Sequence, residues 1–86
     1  MKIYYSPKFE REYRKLPQKL KELAKIKEVV FRTNPFDTRL KTHSLTGNLK
    51  GAWSFSVNFK TRIIFDFVND SEVWFHTIGS HDIYRH

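Results

Sequence analysis

The period of the hydrophobic residues changes once along this chain, and that change limits the folds open to it. In the first third, apolar side chains recur at helical spacing, and Phe9, Tyr13 and Leu16 share one such face. From Ala52 onward they alternate with polar residues, which is the period of a half-buried strand. Helices followed by successive strands predict an α+β domain with the helices on one face of a sheet.

Prolines set the limits of two predicted helices. Ser6-Pro7 is a helix start, because serine is a favoured N-cap and proline costs nothing at the first helical position. Pro17 ends this helix and opens a second one. Asn34-Pro35 ends the second, because a residue before proline avoids the helical region. We therefore predict helices near 7–16 and 17–33. The apolar stripe of the second helix comprises Leu20, Leu23, Ala24, Lys27, Val30 and Phe31.

The predicted strands surround this helical pair in sequence. A short strand, Lys2–Tyr5, precedes the first helix, and three more follow a polar, glycine-containing connection over 34–51. Those three are Ala52–Phe59, Thr61–Val68 and Glu72–Ile78, and in the first of them Trp53, Phe55, Val57 and Phe59 point inward. Short turns between successive strands predict an antiparallel meander. The expected fold is a single domain over 1–86, with two N-terminal helices packed on an antiparallel sheet.

Size and composition narrow the class further. A chain of 86 residues buries only about 60% of its unfolded surface, so its core must be dense in large side chains. Eight Phe, four Tyr and two Trp supply them. The absence of cysteine excludes disulfides, thiolate metal sites and cysteine nucleophiles. No stretch reaches the apolar length of a signal peptide or membrane helix, so we expect a cytoplasmic protein.

Positive charge is concentrated in one part of the chain. Residues 1–50 carry thirteen basic and five acidic groups, a net +8, whereas 51–86 carry three basic and four acidic groups, a net −1. Such asymmetry favours a polyanionic partner or an acidic protein partner. The alternative is a lysine-rich helix surface that only aids solubility.

Four histidines are present, and two of them are candidates for chemistry. The spacing of the four does not match a zinc site, so we predict no metal. His76 is predicted to be an ordinary strand residue, and His86 is the last residue. His43 lies just before the meander and His81 just after it, so the ends of neighbouring strands can bring these two together in one cleft.

Two basic residues lie near the same edge of the predicted sheet. Lys50 precedes the first meander strand. Arg62 alternates with Ile63 and therefore points, like Asp66, to the opposite face of its strand. A guanidinium there can hold a phosphate, because it presents several donors at once. The alternative is a surface charge paired with Asp66.

Three stretches together resemble toxins of the RelE/ParE superfamily, most closely its YafQ and YoeB branches. They are His43-Ser44-Leu45-Thr46-Gly47-Asn48-Leu49-Lys50-Gly51-Ala52-Trp53-Ser54, Arg62-Ile63-Ile64-Phe65 and Ile78-Gly79-Ser80-His81-Asp82. The strand–helix–helix–meander order of that superfamily also matches the predicted order over essentially the whole chain. The resemblance implies a RelE-like fold and a toxin neutralised by an antitoxin protein.

The resemblance also implies cleavage of mRNA on the ribosome, without a metal or other cofactor. In that chemistry a base takes the proton of a ribose 2′-OH, an acid protonates the leaving 5′-oxygen, and cations stabilise the phosphate. Carried over by position, His43 is the general base, His81 the general acid and Arg62 the phosphate-stabilising group. Lys50 and Tyr84 are the implied substrate-binding residues. Imidazoles suit proton transfer because their ordinary pKa, about 6.5, lies near working pH.

The chain departs from the YafQ branch at three positions. That branch has histidine where this chain has Ser56, and Asp-Trp where this chain has Lys60-Thr61, so the predicted site mixes the two branches. Two other functions remain open: a ParE-like toxin that inhibits DNA gyrase and cleaves nothing, and an inactive basic nucleic-acid-binding module. The presence of His43, His81 and Arg62 favours the nuclease.

Overall fold

The computed structural model describes residues 1–80, which form five strands and two α-helices. The elements are β1 (Lys2–Tyr5), α1 (Pro7–Arg14), α2 (Gln18–Thr33), β2 (His43–Ser44), β3 (Trp53–Ser56), β4 (Thr61–Asn69) and β5 (Glu72–Ser80), with short 3-10 helices at Thr38–Leu40 and Gly47–Leu49. The strands make one sheet in the order β1-β5-β4-β3-β2. The predicted α+β class is confirmed.

The meander is confirmed, but the sheet as a whole is mixed. Strands β3, β4 and β5 are antiparallel in succession, as predicted. β1 instead runs parallel to β5, with Ile3 opposite Val73, although an antiparallel sheet was expected throughout. A hairpin turn would have made β1 antiparallel to its neighbour. β1 and β5 are instead separated by nearly the whole chain, so no turn sets their relative direction. β2, a two-residue strand inside the predicted connection, pairs antiparallel with β3 and was not expected.

Both helices begin where the sequence signals lie. The Ser6 hydroxyl accepts a hydrogen bond from the Phe9 amide at 2.9 Å, which satisfies one of the unpaired donors of the first turn. Pro17 is the N-cap of α2, and Asn34, in extended conformation, ends it. α1 stops at Arg14, two residues earlier than predicted.

Four phenylalanines form the centre of the core between α2 and the sheet. Phe31 of α2 is fully buried and lies 4.8 Å from the ring of Phe55, 5.0 Å from Phe65 and 5.4 Å from Phe75, measured between ring centroids. Edge-to-face and offset pairs of this kind contribute about 0.5–1.5 kcal/mol each beyond the area that they bury. Phe59 was predicted to point inward and is instead 87% exposed, because β3 ends at Ser56 and the chain turns there.

α1 takes the place of a neighbouring strand along part of β5. β1 pairs with β5 only as far as Phe75, and α1 follows β1 directly. Beyond that point, Glu12 of α1 accepts hydrogen bonds from the Thr77 hydroxyl at 2.5 Å and the Ile78 amide at 3.2 Å. A side chain therefore satisfies a backbone donor that a strand would otherwise have paired. Within residues 1–80 no helix has the length and apolar character needed to cross a membrane.

Candidate functional site

The sheet has a face that points away from the core, here called the distal face, and the register places candidate residues on it. His43 lies opposite Ser54, which lies opposite Ile64, and directly opposed side chains share a face. Arg62 is two residues from Ile64 on β4 and therefore lies on the same face. His43 and Arg62 are two strands apart and two residues out of direct opposition, which is roughly 12 Å at the usual strand spacing and rise.

His43 is exposed, and its backbone surroundings determine which ring nitrogen can accept a proton. Its Nδ1 lies 2.9 Å from the carbonyl oxygen of Lys41. Because a carbonyl only accepts, Nδ1 carries the hydrogen and Nε2 is the acceptor of the neutral ring. Lys41 itself has φ 53, a left-handed conformation that is unusual for lysine. A neutral imidazole oriented in this way suits a general base.

Arg62 is half-buried and turns back towards the chain that precedes β4. Its Nη1 donates to the carbonyl oxygens of Asn58 at 2.5 Å and of Thr61 at 3.4 Å. Pairing with Asp66, the alternative considered from the sequence, does not occur. Nε and Nη2 of Arg62 make no hydrogen bond to another residue within 1–80.

Lys50 lies at the wall of a cleft of about 1000 Å³ on the distal face. It is exposed and follows the 3-10 helix Gly47–Leu49, and its amide donates to the Gly47 carbonyl oxygen at 3.1 Å. Gly47 and Gly51 have φ 68 and 96, which glycine adopts without strain, so this loop needs its glycines. The other residues of the cleft are Ser6, Lys8, Glu12, Leu49, Gly51, Ala52, Ile64, Asp66, Phe67, Val68, Trp74, His76 and Thr77.

The three positions at which the chain departs from the YafQ branch differ in their surroundings. Ser56 is buried opposite Arg62 on the distal face. The amides of Lys60 and Thr61 both donate to the Asn58 side-chain oxygen, at 2.9 and 2.7 Å, so the pair belongs to the turn before β4. The other two predicted site residues, His81 and Tyr84, lie outside the residues that the structure describes.

A pair of titratable side chains on the distal face was missed by the sequence analysis. His76 Nε2 lies 2.6 Å from Asp66 Oδ2, and the imidazole lies against the indole of Trp74 in a tilted arrangement, with 5.2 Å between ring centroids and 35° between planes. His76 is a strand residue, as predicted, but it is the extra residue of a bulge between β4 and β5. A bulge re-aims a side chain. The available sequence signal for this pair was the alternation of side chains along β4, which places Asp66 on the same face as Arg62. No local sequence pattern reveals the bulge in β5.

No three His, Asp or Glu side chains within residues 1–80 come together as a metal site would require. Of the residues predicted from the sequence, the described ones thus contribute one imidazole, His43, one guanidinium, Arg62, and the Lys50 ammonium to the distal face. These groups can move a proton and stabilise negative charge.

Two helices on a mixed sheet of this order is the fold of YoeB and YafQ toxins. A YoeB/ParE toxin from Agrobacterium tumefaciens superposes with a TM-score of 0.79 at 16% identity, covering 94% of this chain and 99% of that one. The YoeB–YefM complex from Staphylococcus aureus gives 0.75 at 20% identity, covering 94% and 97%. The DinJ–YafQ toxin–antitoxin complex from E. coli gives 0.71 at 24% identity, covering 94% and 92%.

The sequence comparisons identify the family. Among curated proteins no sequence matches this chain significantly. The family described as "Bacterial toxin of type II toxin-antitoxin system, YafQ" matches residues 1–85. The chain belongs to this family and is a RelE/ParE-like type II toxin.

Proposed function

We propose that this toxin is an mRNA interferase, an endoribonuclease that cleaves mRNA on the ribosome in the cytoplasm without a metal ion. The observation that carries the proposal is the placement of His43 and Arg62 on one face of the sheet, with His43 held so that Nε2 is the acceptor. A base and a phosphate-stabilising cation are two of the three kinds of group that this reaction uses, the third being an acid.

The proposed reaction is an internal transfer at phosphorus. Nε2 of His43 takes the proton of a ribose 2′-OH, and the 2′-oxygen attacks the adjacent phosphorus. The bond to the 5′-oxygen breaks, and His81 protonates that oxygen as it leaves, so that a 2′,3′-cyclic phosphate and a 5′-OH are formed. Arg62 donates to the phosphate oxygens, on which charge gathers. Lys50 contributes positive charge, and Tyr84 stacks on a base.

We also propose a cognate antitoxin protein as the partner that keeps the toxin inactive. The E. coli relative forms a toxin–antitoxin complex. In this chain the net +8 of residues 1–50 would attract an acidic segment. A cleft of about 410 Å³ between α1 and α2 would take apolar side chains of an amphipathic segment. Its aromatic lining is Tyr5, Phe9, Tyr13 and Phe75. Affinity purification from the native host should recover a small co-encoded protein, and repeated failure to do so contradicts this part of the proposal.

The nuclease proposal is tested in a purified translation system, with primer extension to map cuts in the mRNA. We expect cuts in the ribosomal A site, and single-turnover rates about 10²–10⁴-fold lower for His43→Ala and for His81→Ala. Lys19→Ala, an exposed position on the first turn of α2, is the control and should cut at the parental rate.

A gyrase supercoiling assay run in parallel separates the alternatives. Gyrase inhibition without cuts in mRNA would favour the ParE-like function, and salt-dependent RNA binding with neither activity would favour the inactive module. If both histidine variants cut as fast as the parent, the proposed acid–base pair is wrong.

A further inference from the structure

The cleft on the distal face contains three side chains that the proposed reaction does not use. Trp74, the third residue of β5, is 45% exposed, and the partly buried ring of His76 lies against it at a tilt of 35°. Asp66 lies opposite Trp74 on β4 and binds the His76 ring through Oδ2. Two adjacent rings with a carboxylate beside them therefore face the solvent of one cleft.

The backbone holds this group in place. The bulge at His76 leaves its carbonyl outside the regular ladder, and the Ser6 hydroxyl donates to that carbonyl at 2.7 Å. On the next two residues, Glu12 accepts the hydrogen bonds of Thr77 and Ile78. Ser6 is the N-cap of α1 and Glu12 lies within α1, so the packing of this helix against β5 fixes the backbone at His76, and Asp66 and Trp74 contact the ring. Such preorganisation lowers the entropic cost of binding a ligand.

The chemistry of the group indicates what it binds. Exposed aromatic rings on a sheet stack on the unpaired bases of single-stranded RNA. A carboxylate accepts hydrogen bonds and cannot donate them, so it selects a base edge that carries donors. Guanine presents two adjacent donors, N1–H and the N2 amino group, whereas uracil presents one. Lys8 and Lys50, on the walls of the same cleft, offer positive charge to the flanking phosphates.

We propose that Trp74 and His76 form a subsite that binds one nucleobase of single-stranded RNA, and that Asp66 gives this subsite a preference for guanine. The subsite rests on the proposed function only in that the ligand is the RNA substrate. It assigns a role to a part of the distal face that contains none of the proposed catalytic residues.

Binding of RNA that cannot be cleaved tests the subsite without any catalysis. The probes are fluorescein-labelled 2′-O-methyl hexamers, UUGUUU, UUAUUU and UUUUUU, titrated by fluorescence anisotropy at one fixed low salt concentration. The parent should bind UUGUUU most tightly. Trp74→Ala should weaken all three by about 5- to 100-fold, the range expected for the loss of one stacked base. Trp74→Phe should restore most of that loss, and Trp74→Leu, which keeps apolar volume without a π face, should not.

Base preference is tested separately from stacking. Asp66→Asn should reduce the ratio of affinities for UUGUUU and UUUUUU about fivefold or more while leaving UUUUUU binding nearly unchanged. Ile26→Ala, an exposed apolar position on α2 that lines neither cleft, is the matched control and should bind like the parent. Circular dichroism of each variant checks that it is folded. If the parent binds no hexamer, does not distinguish the hexamers, or loses nothing on Trp74→Leu, the subsite is overturned.

Cleavage on programmed ribosomes distinguishes failure of the subsite from failure of the proposed function. A parent that cuts mRNA, together with Trp74 and Asp66 variants that bind like the parent, refutes the subsite alone. A parent that binds with the expected dependence on Trp74 and cuts nothing refutes the nuclease alone. For a cutting parent, His76→Ala should raise the KM for mRNA and leave the single-turnover rate at saturation nearly unchanged. A fall in that rate with unchanged KM would place His76 in the reaction and contradict a binding role.

Discussion

Replacement of Arg62 by alanine separates the catalytic role of this side chain from its structural role. In the free protein the guanidinium donates to the Asn58 carbonyl oxygen at 2.5 Å, and its second contact, to Thr61 at 3.4 Å, is long. Loss of about one effective hydrogen bond costs about 0.5–1.5 kcal/mol of unfolding free energy. For a domain of this size, each kcal/mol lowers Tm by roughly 4–8 °C. Arg62→Ala should therefore remain folded at assay temperature.

The expected effect on cleavage is much larger than the effect on stability. Removal of one donor that stabilises charge in the transition state typically lowers the rate about 10²–10³-fold, which corresponds to about 2.7–4 kcal/mol. Arg62→Lys keeps the charge and loses the planar fork, so its rate should lie between those of the parent and the alanine variant. RNA binding by Arg62→Ala should also weaken and become less sensitive to salt.

Single-turnover cleavage on programmed ribosomes, with thermal unfolding of the same preparations, measures both effects. Lys19→Ala removes one positive charge from α2 and controls for net charge. An Arg62→Ala variant that cuts within about threefold of the parent, well below one donor's usual effect, would refute the phosphate-stabilising role. A large loss of rate that is accompanied by unfolding at assay temperature would refute the structural estimate above.

Three further predictions concern stability. Glu12→Ala should lower the unfolding free energy, measured by urea unfolding, by about 1–3 kcal/mol, because it leaves the Ile78 amide and the buried Thr77 hydroxyl without their acceptor. A loss below about 0.5 kcal/mol would show that another group takes the place of the Glu12 carboxylate. Lys41→Gly should change the unfolding free energy by less than about 1 kcal/mol, because relief of the left-handed strain offsets the added freedom of the unfolded chain. Lys25→Gly, at an exposed position in the middle of α2, should by contrast cost about 1 kcal/mol, and equal losses for the two variants would contradict the strain at Lys41. Burial, and then the hydrogen bond to Glu28, raises the pKa of Tyr5 to about 12, so its contribution to stability is fully present below the ordinary value of about 10 and is lost as the pH rises from 10 to 12. Absorbance at 295 nm and urea unfolding should both show this loss in the parent and less of it in Tyr5→Phe, and identical alkaline curves would show that Tyr5 is not shifted.

Part of the candidate site could be predicted because alternation along one strand is a local property. The spacing of Arg62 from Ile63 places the guanidinium on the face away from the core, and the structure has it there. The partner of Asp66 could not be predicted in the same way. The partner depends on which residue of β5 lies diagonally across from Asp66, and a single inserted residue, His76, changes the register between β4 and β5.

The order and type of the main elements follow from local sequence patterns. Residues close together in the chain carry these signals, which are the helix starts at Ser6 and Pro17 and the change of hydrophobic period near Ala52. They are local because a helix cap involves one turn of helix and an amphipathic period is defined within one helix or strand. Three other features appear only in the folded domain: β1 runs parallel to β5, α1 completes the edge of β5, and Asp66, Trp74 and His76 meet on the distal face. These features depend on contacts between residues that are far apart in the chain, where packing of the whole domain, and no local pattern, selects the pairing and the register.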